Sequence, residues 1–124
     1  MTILLIDDDE TTNFFNELLI KTHIPTAHVQ LAVNGLKALQ YLQQHPMPNI
    51  ILLDINMPVM DGFEFLTESK SLPGIASALI AMLTTSLNAN DLKIARDHPE
   101  IKKFINKPLR VEDLTILLEM SMDR

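Results

Sequence analysis

Residues 50–54 read Ile50-Ile51-Leu52-Leu53-Asp54, four apolar side chains in a row closed by a carboxylate. A run with no polar interruption cannot turn one face to water, so it fits a strand covered on both faces at the centre of a sheet. Ile3-Leu4-Leu5-Ile6 and the stretch from Ala78 to Leu83 have the same character, each bounded by polar residues. Two other segments are mixed. Val29, Leu31 and Val33 alternate with Gln30 and Ala32, and Ile101-Lys102-Lys103-Phe104-Ile105 carries adjacent lysines, so both suit partly exposed edge strands.

Between these strands apolar residues recur at helical spacing: Phe14 and Leu18 with Phe15 and Leu19; Leu36, Leu39 and Leu42; Phe63 and Leu66; Val111, Leu114, Leu117 and Leu118. A shorter helix is expected from about Asn90 to Asp97, through Leu92 and Ala95. Asn34-Gly35, Pro46 to Pro48, Asp61-Gly62 and Pro73-Gly74 punctuate the pattern. Strand and helix alternate five times, which predicts an α/β chain: a doubly wound parallel sheet with right-handed crossovers and five helices. With strands 1, 3 and 4 central, the expected order is 2-1-3-4-5, as in flavodoxin-like folds. Ligands of such sheets sit beyond the carboxyl ends of the strands where the winding reverses, here between strands 1 and 3.

The composition narrows the function. The chain has 124 residues, 47% of them apolar, enough for one core, so residues 1–124 are read as one domain. Ten basic and 16 acidic side chains leave a formal charge of -6, which repels a polyanion and argues against direct nucleic-acid binding. With no cysteine there is neither a disulfide framework nor a thiolate metal site, and His23, His28, His45 and His98 lack ligand-like spacing. No apolar stretch approaches the ~20 residues that span a bilayer, and the start lacks the pattern of a signal peptide. Membrane insertion is not expected, and a cytoplasmic location is.

Around the strand ends lie Asp7 and Asp8 after the first strand, Asp54 after the third, Thr84 after the fourth and Lys107 after the fifth. All converge on the expected crevice. Three carboxylates so close repel one another, and the available neutralising charges are a divalent cation and Lys107. An all-oxygen donor set suits Mg²⁺, or Mn²⁺ in its place, rather than zinc. Taken singly, each of these residues is more often a helix cap or a loop residue; it is their joint placement that points to chemistry.

Four segments carry a resemblance: Ile3 to Glu10 (Ile3-Leu4-Leu5-Ile6-Asp7-Asp8-Asp9-Glu10), Leu53 to Gly62 (Leu53-Asp54-Ile55-Asn56-Met57-Pro58-Val59-Met60-Asp61-Gly62), Met82-Leu83-Thr84-Thr85-Ser86, and Phe104-Ile105-Asn106-Lys107-Pro108. In this order and spacing the chain resembles the response-regulator receiver domains of bacterial two-component systems, of the stand-alone, chemotaxis-regulator-like kind. The resemblance implies a phosphorelay signal-transduction protein, not a turnover enzyme. Asp54 would be the phosphoacceptor, taking a phosphoryl group from a histidine kinase or phosphotransfer protein. Asp8 and Asp54 would hold Mg²⁺ by side chains, Asn56 by its carbonyl and Asp7 through a water. Lys107 would stabilise the phosphoryl oxygens, and Thr84 would donate a hydrogen bond to the phosphoryl group. Phe104 would move into the space Thr84 leaves, with a core aromatic as the alternative. Asn56 and Ser86 would tune the lifetime of the phosphorylated state. Pro108 would follow a cis peptide bond that aims Lys107.

Two features depart from the family pattern. Asp97-His98-Pro99-Glu100 stands where a Gly-Ala turn is usual, and Arg110 stands where a capping Thr or Ser is usual, leaving Glu112 and Asp113 to serve the first helical amides. Output is expected through contact with an unidentified downstream protein or through a homodimer, on the surface formed by helix 4, strand 5 and helix 5. Two other readings stay open. One is a haloacid-dehalogenase-like phosphatase, whose signature needs an Asp where Asn56 stands; the other is a binding module that keeps the fold without accepting phosphate.

Overall fold

The computed structural model describes residues 1–85 and 88–122. In chain order the elements are β1 (Thr2–Ile6), α1 (Glu10–His23), β2 (His28–Ala32), α2 (Gly35–Gln44), β3 (Ile50–Asp54), α3 (Gly62–Ser69), a 3-10 turn (Ile75–Ser77), β4 (Leu79–Thr84), α4 (Ala89–Ala95), β5 (Ile101–Asn106) and α5 (Val111–Met122). The strands form one parallel sheet in the order β2-β1-β3-β4-β5. Every residue of β3 and β4 is buried, whereas β2 and β5 alternate with exposed positions. The uninterrupted apolar runs thus mark the centre and the mixed runs the edges, for the reason expected: only a central strand is covered on both faces.

Helices cover the sheet from two sides and bury two clusters. Leu4, Ile6, Ile51, Leu53 and Met82 face α2 and α3, while Leu5, Leu52 and Leu83 face α1 and α5 through Ile20, Leu114 and Leu117. Strand periodicity decides which side each residue serves. It also decides which side of the sheet the residues just past the strands approach.

α1 departs from the rule that a helix buries its apolar stripe. Its buried residues are Asn13, Asn16 and Ile20, while Phe14, Phe15 and Leu18 are 63%, 59% and 53% exposed. Polar contacts set this rotation. The Asp9 side chain caps the helix by accepting from the Thr11 amide at 3.3 Å and the Thr12 hydroxyl at 2.6 Å, and the Asn13 Nδ2 donates to the Asp7 carbonyl at 2.8 Å. Asn13 is therefore drawn inward, and its neighbours Phe14 and Phe15 are turned out.

The other helices follow their spacing more closely. α2 buries Ala38, Leu39 and Leu42, α3 buries Phe63, Phe65 and Leu66, and α5 buries Leu114 and Leu117. α4 buries none of its residues. At the start of α5 the Arg110 amide donates to the Asp113 carboxylate at 3.0 Å, so an acidic side chain three residues on makes one half of a capping box, the half that does not need a Ser or Thr at Arg110.

α3 begins with a close backbone approach. Asp61 and Glu64 form a reciprocal cap, and the Gly62 amide donates to the Ile55 carbonyl at 2.8 Å. A Cβ at Gly62 would lie 2.4 Å from the Asp54 carbonyl oxygen, which is backbone and has nowhere to go. Gly62→Ala is expected to lower stability by about 1–3 kcal/mol, the usual cost of overpacking, measured as a drop in urea midpoint with unchanged m-value. A neutral substitution would show that the strand end yields more readily than this contact implies.

Candidate functional site

Three chain segments, far apart in sequence, meet at the carboxyl end of the sheet. Asp7 lies two residues beyond Leu5, Asp54 two beyond Leu52, and Lys107 two beyond Ile105, and all three of those apolar residues belong to the cluster under α1 and α5. The period of two therefore aims Asp7, Asp54 and Lys107 to the same side. Their atoms meet: the Lys107 Nζ is 2.9 Å from Asp7 Oδ2 and 3.3 Å from Asp54 Oδ1. Ligand oxygens of Asp7, Asp8 and Asp54 all lie within 4.8 Å of one another, with Asp7 and Asp54 buried and Asp8 exposed.

The carboxylates are held by backbone as well as by the lysine. Asp54 Oδ1 accepts from the Ile55 amide at 3.0 Å, and Asp7 Oδ1 accepts from the Asp9 amide at 3.0 Å. Among the described residues Asp54 Oδ2 has no such partner. Burial, and next the charge of Asp7, push the Asp54 carboxyl above its ordinary value, against the pull of Lys107 and the Ile55 amide. Burial works to lower Lys107, but the hydrogen bond to Asp7 and the charge of Asp54 outweigh it and hold the ammonium above the usual lysine value. One ammonium shared by two buried carboxylates, with a third beside them, leaves the cleft short of positive charge.

That deficit and the donor set fit a hard divalent cation. The oxygens of an octahedral ion of this size are separated by up to roughly 4 Å, close to the spread of the three carboxylates. Asp7, Asp8 and Asp54 are the residues that could hold it. Asn56 is exposed in the loop from Ile55 to Asp61, two residues past Asp54.

The remaining residues singled out in the sequence fall as follows. Asp54 pairs with Leu83, so Thr84, the buried last residue of β4, stands one step farther along the neighbouring strand. The Thr84 carbonyl accepts from the Lys107 amide at 2.8 Å, tying the end of β4 to the residue that carries the ammonium. Phe104 pairs with Met82 and is 38% exposed, which places its ring outside the core. The Lys107–Pro108 peptide is cis. Ser86 lies outside the described residues.

Three supporting features were not read from the sequence. Asn13 braces the Asp7 carbonyl, Gly62 lies against the Asp54 backbone, and Val59 takes a left-handed conformation with φ 70°. The Met60 amide donates to the Pro58 carbonyl at 2.7 Å, so Val59 is the middle of a tight three-residue turn of the strained hand. The turn presses Met60 onto α2: the Met60 carbonyl accepts from the Gly35 amide at 3.1 Å, and a Cβ at Gly35 would meet the Met60 Cγ at 2.8 Å. Of these, only the paired glycines, Asn34-Gly35 and Asp61-Gly62, left a trace in the sequence as turn signals.

Left-handed φ costs a β-branched residue more than any other, about 1–2 kcal/mol, and Val59 is 74% exposed, so its side chain returns little in packing. Val59→Asn is expected to raise stability by roughly 0.5–1 kcal/mol, seen as a higher urea midpoint. A loss of stability would show that this turn is not where strain resides.

Comparison with known proteins bears on what such a cleft is. The family described as "Response regulator receiver domain" matches residues 3–119. The chain is 33% identical over 118 residues to the response regulator Rcp1 of Synechocystis, covering 90% of this chain and 80% of that protein. Among solved structures it superposes on a two-component response regulator from Legionella pneumophila with a TM-score of 0.89 at 26% identity, covering 100% of this chain and 99% of the other. It also matches the phosphorylated cyanobacterial phytochrome response regulator RcpA, with a TM-score of 0.79 and 26% identity over 96% of this chain and 89% of the other. A parallel 2-1-3-4-5 sheet with carboxylates gathered at its carboxyl end, and a family match over nearly its whole length, lead to one conclusion: this chain belongs to the response regulator receiver domains of two-component signalling.

Proposed function

We propose that the chain is a phosphorylation switch in which Asp54 accepts a phosphoryl group from a histidine kinase or phosphotransfer protein with the help of Mg²⁺. The observation that carries this reading is the meeting of Lys107 with both Asp7 and Asp54, at 2.9 and 3.3 Å, in a cleft crowded with carboxylates. Similarity to a response regulator whose solved structure is of the phosphorylated protein supports it.

The chemistry follows from the positions. Asp54 Oδ1 is engaged by the Ile55 amide and Lys107, which leaves Oδ2 to attack the phosphorus of a phosphohistidine as the phosphorus–nitrogen bond breaks and the imidazole leaves with the bonding pair. The Asp8 and Asp54 side chains, the Asn56 carbonyl and Asp7 through a water would hold Mg²⁺, which when bound would supply positive charge to the phosphoryl oxygens. Lys107 supplies the rest as a compact point charge. Phosphorylation converts the Asp54 carboxylate into a mixed anhydride whose phosphoryl group carries about two negative charges, so it raises the demand for positive charge and for hydrogen-bond donors that Lys107 and the Thr84 hydroxyl can meet. Mn²⁺ would serve in place of Mg²⁺.

Signal leaves the site along β4. A hydrogen bond from Thr84 to the phosphoryl group draws in the strand end, and with it the Lys107 backbone that Thr84 already holds. α4, which buries none of its residues, is the helix least anchored against such a shift, and the exposed Phe104 ring is free to follow. Asn56 and Ser86, two residues past the acceptor and the switch threonine in the sequence, tune the lifetime of the phosphorylated state. The phosphodonor approaches the cleft beside the exposed Phe14, Phe15 and Leu18, and the shifted α4–β5–α5 face meets a downstream protein or a second copy of the chain. No helix among the described residues is long and apolar enough to cross a membrane. The proposed place of action is the cytoplasm, where histidine kinases present their phosphohistidines.

Incubation with acetyl phosphate and Mg²⁺ tests this. Intact-mass spectrometry is expected to show one added phosphoryl group per chain, absent from Asp54→Asn and absent without the metal. Sustained release of phosphate, turnover after turnover, would instead mark a phosphatase, and no adduct at all would mark a fold that no longer accepts phosphate.

A further inference from the structure

We propose a second ligand site, at the end of the sheet opposite Asp54, for a small amphipathic anion: one carboxylate on a short apolar body. A cavity of about 340 Å³ opens there between the end of α3, the 3-10 turn and the first residues of β4 and β5. Its floor is Leu66, Ile75, Ala78 and Ile80, and its rim carries Lys70 and Lys102.

The placement of Lys102 is what separates this cavity from an ordinary surface dent. Ile80 pairs with Ile101, but the next residue, Ala81, pairs with Lys103, so Lys102 is an extra residue bulged out of β5. Regular alternation would send Lys102 to the side of the sheet away from Ile101, toward α1 and α5. The bulge turns it instead to the side of Ile80 and the cavity mouth. Bulges interrupt a ladder and re-aim a side chain, and here the side chain delivered is an ammonium.

Among the described residues neither lysine is paired with a carboxylate. The Lys102 Nζ donates only to the Pro99 carbonyl, at 3.1 Å, and no ion pair among the described residues includes Lys70 or Lys102. Glu100, the acidic group on the lining, has its Oε1 on His98 Nδ1 at 2.9 Å, on the ring that stacks against Phe63. In a chain of net charge -6, two unpaired lysines over an apolar floor are complementary to an anion with an apolar tail. The cavity volume sits at the small end of the roughly 300–1,000 Å³ range of ligand pockets, which suits a compact molecule and not a folded partner.

Octanoate is the probe, titrated into ¹⁵N-labelled protein and followed by backbone amide shifts. Saturable shifts are expected at Leu66, Ile75, Ala78 and Ile80. Octanol, the same tail without the charge, and the variant Lys70→Gln/Lys102→Gln are each expected to bind about tenfold more weakly, the scale of a lost charge-assisted hydrogen bond. Both lysines are exposed, so this variant keeps its fold, which its urea midpoint verifies. Ala76→Phe, placed on the cavity lining from the exposed 3-10 turn, is expected to abolish binding by filling the space. Equal binding of octanol, an unaffected lysine variant, or shifts centred on Phe14 and Phe15 would each overturn the proposal. So would a glutamate-rich peptide that perturbs these amides where octanoate does not, since that would make the cavity a protein-docking site.

Discussion

Asp54→Asn is expected to make the protein more stable at neutral pH while abolishing phosphoryl acceptance. Burial and the charge of Asp7 hold the Asp54 carboxyl above its ordinary value, so ionising it costs more in the folded chain than in the unfolded one. The folded state then binds more protons than the unfolded state across the window between the two values, and stability falls as pH rises through that window. Asparagine keeps an acceptor for the Ile55 amide and for Lys107, removes the charge and nearly preserves the shape. The expected gain is roughly 1–3 kcal/mol, the penalty for a desolvated and incompletely paired charge. For a domain of this size that is a rise in Tm of about 3–10 °C. The pH dependence of the gain identifies its origin. The gain should be fully present above the folded-state value and vanish below the unfolded value of 3.8, where both states carry a protonated Asp54. A gain that persists there, or a variant less stable than the parent at neutral pH, would show that Asp54 is not under electrostatic strain.

Removing the ammonium has the opposite sign. Lys107→Met keeps the unbranched apolar stem and leaves Asp7 and Asp54 facing each other with no cation between them. Breaking a buried pair by deleting one partner costs about 3–5 kcal/mol, and Lys107 retains some solvent contact, so a loss of roughly 2–4 kcal/mol is expected in metal-free buffer. Magnesium should recover much of it. A ligand at a hundred times its dissociation constant stabilises by about 2.7 kcal/mol, and without a resident ammonium the cleft should take up the cation more tightly than in the parent. Urea unfolding with and without Mg²⁺ therefore forms a cycle: the metal-dependent gain is expected to be larger in the variant, while its rate of phosphorylation by acetyl phosphate falls. Should the metal stabilise the variant less than the parent, Lys107 and the cation cooperate rather than compete, and the charge-deficit account of the cleft is wrong.

Much of the site could be read before any coordinates because strand ends are marked by chemistry. Apolar runs such as Ile50-Ile51-Leu52-Leu53 stop where a carboxylate begins, and in a parallel sheet all strands stop at the same end. Asp7, Asp54 and Lys107 were legible for that reason. Asn13 was not, since an asparagine inside a helix reads as a solvent-facing residue until its contact with the Asp7 carbonyl is seen. The same contact explains why Phe14, Phe15 and Leu18, the most conspicuous apolar spacing in α1, turned out to point away from the core. Val59 gave no signal either: a β-branched residue is the last expected in a left-handed turn, and it is held there by the contact between Met60 and Gly35.

The amino-acid sequence by itself determined the alternation of strands and helices, their order in the sheet and the end of the sheet at which the acidic residues gather, because each depends on local periodicity and on where apolar runs end. Tertiary structure alone decided the rotation of α1, the left-handed turn at Val59 and the bulge that swings Lys102 across the sheet edge. At Val59 and Lys102 a local preference yields to a contact with a helix or strand distant in the chain, whereas α1 is turned by side-chain contacts within six residues that form only once the end of β1 and the start of the helix are folded against each other.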